Sequence, residues 1–470
     1  MDKIIYMRLA LILSLIGIVS CSTIPEQAIS QPIPKHAHTI KSNTQKKPQA
    51  TISLQGDNIS IWQKLQLLSL NKLRVKVDET TGPNETAWLK LAIISKQYST
   101  NTNDLVKQLI AWRDTYPNHP ANALFPENDK LTRLTSAKTK THVALLLPLK
   151  GPLGSQGQAV RDGYLSAYYD SLTDNNQEQM ISFFDTSNAN LTSVYQQAIA
   201  KGANVIVGPL SKQQVEQLST HDKYPVTTLA LNYTDQSKSD PHFFQFGLSQ
   251  QDEALQLAEK AFQAGKSNAI IIASGEAWSQ NIVKTLSDRW LAQGGKIVDS
   301  YQYPKRSRFT QDIAKLMGIN TKEDRAQMDD DNTKNVLQKQ RRQDFDVIFL
   351  IALPEQGRQI VPLLKYYYAD NIPIYSTSLI YSGVPSPQRD ADLNGVIFCD
   401  IPWVLNKASK APHNRLYAVG RDAELLSSEL ERLITLPHFP LQAATGTLSL
   451  NSKQQIYRQV QWTEMHAGHP

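Results

Sequence analysis

From Thr141 onward, six short apolar runs are separated by stretches of helical periodicity, and this alternation constrains the fold more than any other feature. The runs are VALLL (143–147), ISFF (181–184), VIV (205–207), VTTLA (226–230), AIIIA (269–273) and VIFLIA (347–352). They are continuous rather than alternating, as strands covered on both faces should be. Helical segments between most of them predict parallel sheets built from βαβ units. Residues 250–264 illustrate the pattern. Ser249 with Asp252 offers a capping box, Ala254, Leu257, Ala258, Ala261 and Phe262 form one apolar face, and Gly265 ends the helix. A second helix starts after Pro354, with Ile360, Leu363, Leu364 and Tyr367 on one side and Pro362 expected to kink it. More than three hundred residues of this kind exceed one sheet of ordinary size. The fold class expected for 141–470 is therefore α/β, two lobes facing each other across a cleft.

Residues 57–140 follow a different rule. Ile61, Leu65, Leu68 and Leu73 fall near one face of a first helix, Ala87, Leu91 and Ile94 line a second, and Leu105, Leu109 and Trp112 line a third that stops at Tyr116-Pro117. AWLKLAIISKQY followed by LVKQLIAWRDTYPNHPAN is similar to a tetratricopeptide-type helical hairpin. So short a hairpin array buries little alone and is expected to pack against another part of the chain.

The N-terminus sets the compartment. Lys3 and Arg8 precede an apolar stretch, Leu9 to Val19. Its 11 residues are too few to span a bilayer, which needs about 20, so residues 1–20 read as a secretion signal. Ile18-Val19-Ser20-Cys21 resembles the bacterial lipobox, making Cys21 the acylated first residue of the mature protein. Several acyl chains anchor stably where one does not. Ser22 rather than Asp follows, which by known sorting rules favours the outer membrane. Residues 22–56 carry Pro25, Pro32, Pro34 and Pro48 with many Ser, Thr and Gln and no apolar period, the composition of a tether. Extended, its 35 residues reach about 115 Å at most. His36 and His38 in this stretch read as solvated linker. Cys399, in the apolar run GVIFCD, is then left without a partner and is expected to be a buried structural thiol.

Lys+Arg 49 against Asp+Glu 43 gives a net charge of +6, small for 470 residues and without a dense basic run, so no nucleic-acid partner is expected. Catalytic spacings fail on inspection. Ser69-Leu70-Asn71-Lys72 fits S-x-x-K without its K-T-G or S-D-N companions. Gly265-Lys266-Ser267 has Lys260 where a phosphate loop needs its first glycine, and it precedes a strand, the wrong order. Asp329-Asp330-Asp331 lacks the spacing of a calcium loop, and the segment 320–344, with six basic and six acidic side chains, reads as a solvated surface helix and loop. His466 and His469 sit at the extreme C-terminus, where a metal role is not expected, and neither G-x-S-x-G nor a zinc spacing occurs among the ten histidines, so no metal, no cofactor and no catalytic residue is expected.

HVALLLPLKGPLGSQGQAVRDGY resembles the first strand, glycine-rich loop and first helix of type I periplasmic binding proteins. A longer stretch is more specific. RRQDFDVIFLIALPEQGRQIVPLLKYYYADNIPIYSTSLIYSG, then DLNGVIFCDIPW and LYAVGRDA, with AWLKLA and TYPNHPA upstream, resembles the LppC family of LpoA-type outer-membrane lipoproteins over residues 58–460. That resemblance implies a two-lobed type I periplasmic-binding-protein-like domain preceded by a short all-α TPR-like domain. It also implies a non-catalytic regulator that activates a class A penicillin-binding protein of the 1A type. The expected partners are that synthase, the outer membrane through the N-terminal lipid, and peptidoglycan as a further candidate. One departure is that the helical segment here is shorter than in the family's better-known members.

Ligands of parallel α/β sheets bind beyond the strands' C-terminal ends. That rule places Gly151, Gly154, Ser155, Gln156 and Gly157, then Gly208, Pro209 and Leu210, on the first lobe's lip, and Ser274, Gly275 and Glu276 on the second. Glycines there let backbone N–H groups approach an anionic or amide ligand, or else only make tight strand-to-helix turns. Two function classes follow: a protein–protein activator, or a solute-binding lipoprotein for an amino-acid-like ligand, the latter on fold analogy alone.

Overall fold

The computed structural model describes residues 54–135, 141–175, 179–235, 240–305, 308–319, 341–406 and 414–470. The lipobox, the tether to residue 53, His36, His38 and the Asp329–Asp331 run lie outside the described residues.

The first lobe is a five-stranded sheet of β1 (His142–Leu147), β2 (Met180–Asp185), β3 (Val205–Val207), β4 (Thr227–Ala230) and β5 (Phe243–Gln245). Their order is β2-β1-β3-β4-β5 and every pairing is parallel. All six residues of β1 are buried, consistent with helices on both faces. The edge strand β2 departs from expectation: its far side meets solvent, and Phe183 is 42% exposed. The second lobe repeats the same winding with β6 (Asn268–Ser274), β7 (Lys296–Tyr303), β8 (Val347–Ile351), β9 (Ile374–Ser376) and β10 (Val396–Asp400). The order there is β7-β6-β8-β9-β10, and a last antiparallel strand, Gln461–Glu464, closes the sheet beside β10. In each sheet the topological switch point falls beside the first strand of the lobe, between β1 and β3 and between β6 and β8.

Three segments join the lobes. The chain passes from β5 into the helix Gln250–Gln263, returns after β10 to the helix Arg415–Thr435, and crosses again from a small antiparallel sheet into Gln461–Glu464. That small sheet comprises β11 (Leu441–Gln442), β12 (Thr447–Leu450) and β13 (Ile456–Gln459). The returning helix Arg415–Thr435 lies along the first-lobe helix Gly154–Asn175. Two glycines make that crossing close. A Cβ on Gly163 would sit 1.9 Å from the Tyr417 carbonyl oxygen, and one on Gly420 would sit 2.0 Å from the Val160 carbonyl oxygen.

The N-terminal segment folds as helices Asn58–Gln66, Leu70–Glu79, Pro83–Gln97 and Thr102–Thr115, with a shorter Asn128–Arg133. The expected first helix is two, because Ser69 caps the second by accepting from the Lys72 amide at 3.4 Å. That capping contact also accounts for the S-x-x-K spacing. The helices share one core with the far end of the α/β body. Leu436 and Phe439, fully buried, sit among Trp62, Leu65, Trp88, Leu109 and Phe125. The Phe439 ring lies 5.2 Å from Trp62 and 5.7 Å from Phe125, and Trp62 Nε1 donates to the His438 carbonyl at 2.7 Å. Arg432, buried on the long returning helix, donates to the Ser99 carbonyl at 2.7 Å, and Thr102 donates to Glu429. The expectation that these hairpins pack against another part of the chain holds, and that part is the last turns of the helix Arg415–Thr435 with the loop after it.

Other details differ from the pattern reading. In the capped helix Gln250–Gln263, Ser249 accepts from Asp252 N at 3.0 Å as expected, but Phe262 turns outward, 40% exposed, against the edge of Trp290. Glu253 takes a place on the buried face instead. The helix Pro354–Tyr366 continues through Pro362. Arg341, within the run read as solvated, is buried with its guanidinium 5.2 Å above the Phe345 ring. No helix among the described residues is long and apolar enough to cross a membrane.

Candidate functional site

The residues expected at the lips of a cleft lie on the loops after β1, β3 and β6. After β1, Asp185 at the end of β2 accepts from Leu149 N at 3.1 Å and from the Ser187 hydroxyl at 2.5 Å, while Lys150 N donates to Ser187 Oγ at 2.9 Å. The Ser187 hydroxyl bond, then the Leu149 and Ser187 amides, hold the Asp185 carboxyl below its ordinary value. Gly151 has a positive φ of 68° and faces open space. Ser155 is exposed and donates to Gln156 Oε1 at 3.1 Å. Gly154 and Gly157 are buried, and a Cβ on Gly157 would lie 1.9 Å from the Pro148 carbonyl oxygen. Gly157 lets the first helix seat against its own strand.

Gly208, Pro209 and Leu210 are all buried beside the first lip. Gly208 N donates to the Leu229 carbonyl at 2.8 Å, Leu231 N to the Pro209 carbonyl at 2.9 Å, and Asn232 Nδ2 to the Leu210 carbonyl at 3.2 Å. A Cβ on Gly208 would lie 2.1 Å from the Leu146 carbonyl oxygen, so this segment and β1 are in contact. On the other lobe, Gly275 N donates to the Tyr303 carbonyl at 2.8 Å and Glu276 N to Ser274 Oγ at 3.2 Å. The exposed Glu276 carboxylate accepts from Trp278 Nε1 at 3.3 Å. The structure brings the first two lips together on neighbouring strands, and the third lies on the second sheet. The amides of Gly208, Gly275 and Glu276 are engaged by the protein itself.

Residues that the sequence reading did not single out form a buried polar seam at the crossings between lobes. Glu253 and Arg458 pair at 2.8 Å, each almost wholly buried. The second Glu253 oxygen accepts from Ser378 N at 3.0 Å. Gln256 Nε2 donates to the Arg458 carbonyl at 3.0 Å and its Oε1 accepts from Val460 N at 3.0 Å. Arg415, first residue of the returning helix, pairs with fully buried Asp400 at 2.5 Å and donates to the Tyr381 carbonyl at 3.0 Å. Asp422, about two turns further into that helix, accepts from Ala444 N and Thr445 N at 2.7 Å each and from the Thr445 hydroxyl at 2.5 Å. Burial pushes the Asp422 carboxyl up to about 6 against those bonds. Cys399 lies in the same seam, fully buried as expected, and burial, then the Glu253 carboxylate, raises its thiol well above the ordinary value. All three connections between the lobes are therefore pinned by charged or hydrogen-bonded side chains.

A signal for Glu253 existed in the sequence. It stands at 253, 257, 261 spacing with Leu257 and Ala261, an acid on an apolar face, and a buried acid requires a partner. The partner, 205 residues away, could not be read from local pattern.

The two-lobed frame and its helical extension match one family over almost the whole chain. A family model described as "LppC putative lipoprotein" covers residues 37–468. The chain belongs to the LppC family. Among LppC relatives, the penicillin-binding protein activator LpoA of Photobacterium profundum is 27% identical, over 86% of this chain and 68% of that protein. A solved structure of the C-domain of LpoA (YraM) from Haemophilus influenzae, described as a regulator of PBP1A, superposes with a TM-score of 0.57 at 23% identity, covering 70% of this chain and 98% of that one. The structure of a "putative branched-chain amino acid ABC transporter" from Chromobacterium violaceum superposes with a TM-score of 0.53 at 26% identity, covering 69% of this chain and all of that one. The LppC chain thus has a periplasmic-binding-protein-like fold, and its named relatives are activators of a penicillin-binding protein rather than enzymes. Among the described residues no cluster of His, Cys, Asp and Glu could hold a metal ion.

Proposed function

We propose that this chain is an outer-membrane lipoprotein, acylated at Cys21, whose folded body docks on a class A penicillin-binding protein of the 1A type and activates it. Residues 1–20 are the signal peptide, 21–56 the lipidated tether, 57–140 the helical domain and 141–470 the two-lobed domain. The observation that carries this reading is the buried seam of Glu253, Arg458, Asp400, Arg415 and Asp422. A solute receptor must open and close about its crossings, whereas a docking body gains from presenting a preformed surface. The core shared between the helical segment and Phe439 extends the same rigidity to the N-terminal helices. Engagement of the Gly208, Gly275 and Glu276 amides also leaves the cleft lips less suited to grip a small anion.

The test is lipid II polymerisation by the cognate synthase with and without the delipidated protein, beside thermal shifts with candidate amino acids. Stimulation together with physical association supports the reading. Unchanged polymerisation with no association overturns it, and an amino-acid shift without stimulation replaces it with a solute-binding lipoprotein. In cells, Cys21→Ala is expected to release the protein from the outer-membrane fraction, and progressive trimming of residues 24–56 is expected to abolish function once the reach falls short.

A further inference from the structure

We propose that a groove between the helical segment and the second lobe is a binding site for a neutral oligosaccharide, specifically a β-linked chain of N-acetylhexosamines. The groove encloses about 680 Å³, within the range of small-ligand sites. Its walls come from three places: the helix Asn58–Gln66, the helix Gln250–Gln263, and the β12–β13 sheet with the neighbouring Trp462. None of the cleft-lip residues lines it.

Its lining has the chemistry of a sugar site. Gln66, Gln263 and Gln459 present side-chain amides, each both donor and acceptor, as a hydroxyl or acetamido group also is. Tyr457 is half-buried in the lining, an aromatic ring with a polar tip on which the C–H face of a pyranose can stack, and Trp462, also half-buried, lies beside it. Formal charge is nearly cancelled. Glu259 is paired with Arg289 at 2.7 Å, and Lys260 Nζ lies 6.0 Å over the Trp462 ring. A charged ligand would find no unopposed cluster there, and a purely apolar peptide face would leave the amides without partners.

The groove is also preformed. Its floor is held by the Trp62 Nε1 bond to the His438 carbonyl at 2.7 Å and by both ends of the Gln256 amide, at 3.0 Å each. A rigid site loses less freedom on binding an extended, many-rotor chain. It lies away from the cleft lips and does not depend on a synthase contact, so this proposal stands or falls separately from the activator reading.

The test uses the delipidated full chain and a tetrasaccharide of β1,4-linked N-acetylglucosamine, titrated by tryptophan fluorescence and by calorimetry, with maltotetraose as the control lacking acetamido groups. Saturable binding of the first and at least tenfold weaker binding of the second are expected. The exposed pair Gln263→Ala with Gln459→Ala, which leaves the core untouched, should weaken binding about tenfold, and Trp462→Ala should abolish the fluorescence response. Absence of binding at millimolar tetrasaccharide, equal binding of both sugars, or binding unaltered in the double variant overturns the proposal. Loss of synthase association in the double variant, with no sugar binding by the parent, would assign the groove to a protein partner instead.

Discussion

Replacing Glu253 by Gln keeps the number of heavy atoms and removes one charge from the seam between the lobes. One Glu253 oxygen accepts from Arg458 at 2.8 Å and the other from Ser378 N at 3.0 Å. Whichever way a Gln amide turns, its NH₂ then confronts a donor, and Arg458 is left charged, almost wholly buried and without its counter-ion. Breaking a buried pair from one side costs about 3–5 kcal/mol, a large part of the roughly 5–15 kcal/mol that holds a domain folded. Urea unfolding at neutral pH, followed by tryptophan fluorescence, is expected to show Glu253→Gln destabilised by that amount. The double variant Glu253→Met with Arg458→Met removes both charges and is expected to recover more than half of the loss, because the desolvation penalty disappears with the pair. A single variant within 1 kcal/mol of the parent, or a double variant worse than the sum of the singles, would refute the claim that this pair pins the crossings.

Four further outcomes are expected. Phe439→Ala should cost about 3–5 kcal/mol as a core truncation and should make the helices before Thr135 cleavable by protease ahead of the α/β body, since the shared core around Trp62 and Phe125 opens. Gly420→Ala should cost about 1–3 kcal/mol by overpacking, because its Cβ would meet the Val160 carbonyl at 2.0 Å, and calorimetry will show a lowered Tm. Burial raises Glu424 from 4.5 to about 7, so the folded state binds more protons than the unfolded one between those values and stability falls as pH rises from 4.5 through 7. Glu424→Gln should remove that slope, raising stability at pH 8 by up to roughly 3 kcal/mol relative to its effect at pH 4. In the delipidated chain with Cys21 removed, Cys399 should stay unmodified by a thiol reagent until denaturant is added, and rapid native labelling would contradict its burial.

The strands were legible where both faces are covered. In β1, β3, β6 and β8 every core position demands an apolar side chain, so VALLL, VIV, AIIIA and VIFLIA read as strands without ambiguity. The short β5 and β9 are wholly buried, but each carries a polar residue, Gln245 and Ser376, within only three positions, and the antiparallel β11–β13 are two to four residues of mixed burial, so none shows a readable apolar run. Helix breaks were legible only in part. The Ser69 cap interrupts a stretch whose leucines continue in phase, so periodicity alone merged two helices into one. At the cleft, sequence pattern located the glycine turns after β1, β3 and β6. It did not indicate that Gly157 and Gly208 face the carbonyls of Pro148 and Leu146, which is a matter of backbone approach.

Local chemistry, acting over one turn or one pleat, sufficed to specify the α/β class, the helical extension and the buried thiol position in GVIFCD. Tertiary structure alone decided which charge meets which: Glu253 with Arg458, Asp400 with Arg415, and Arg432 with the Ser99 carbonyl. A buried charge states in sequence only that it needs a partner. Its partner is chosen by how distant segments converge, and here that convergence joins two lobes and a helical arm into one body.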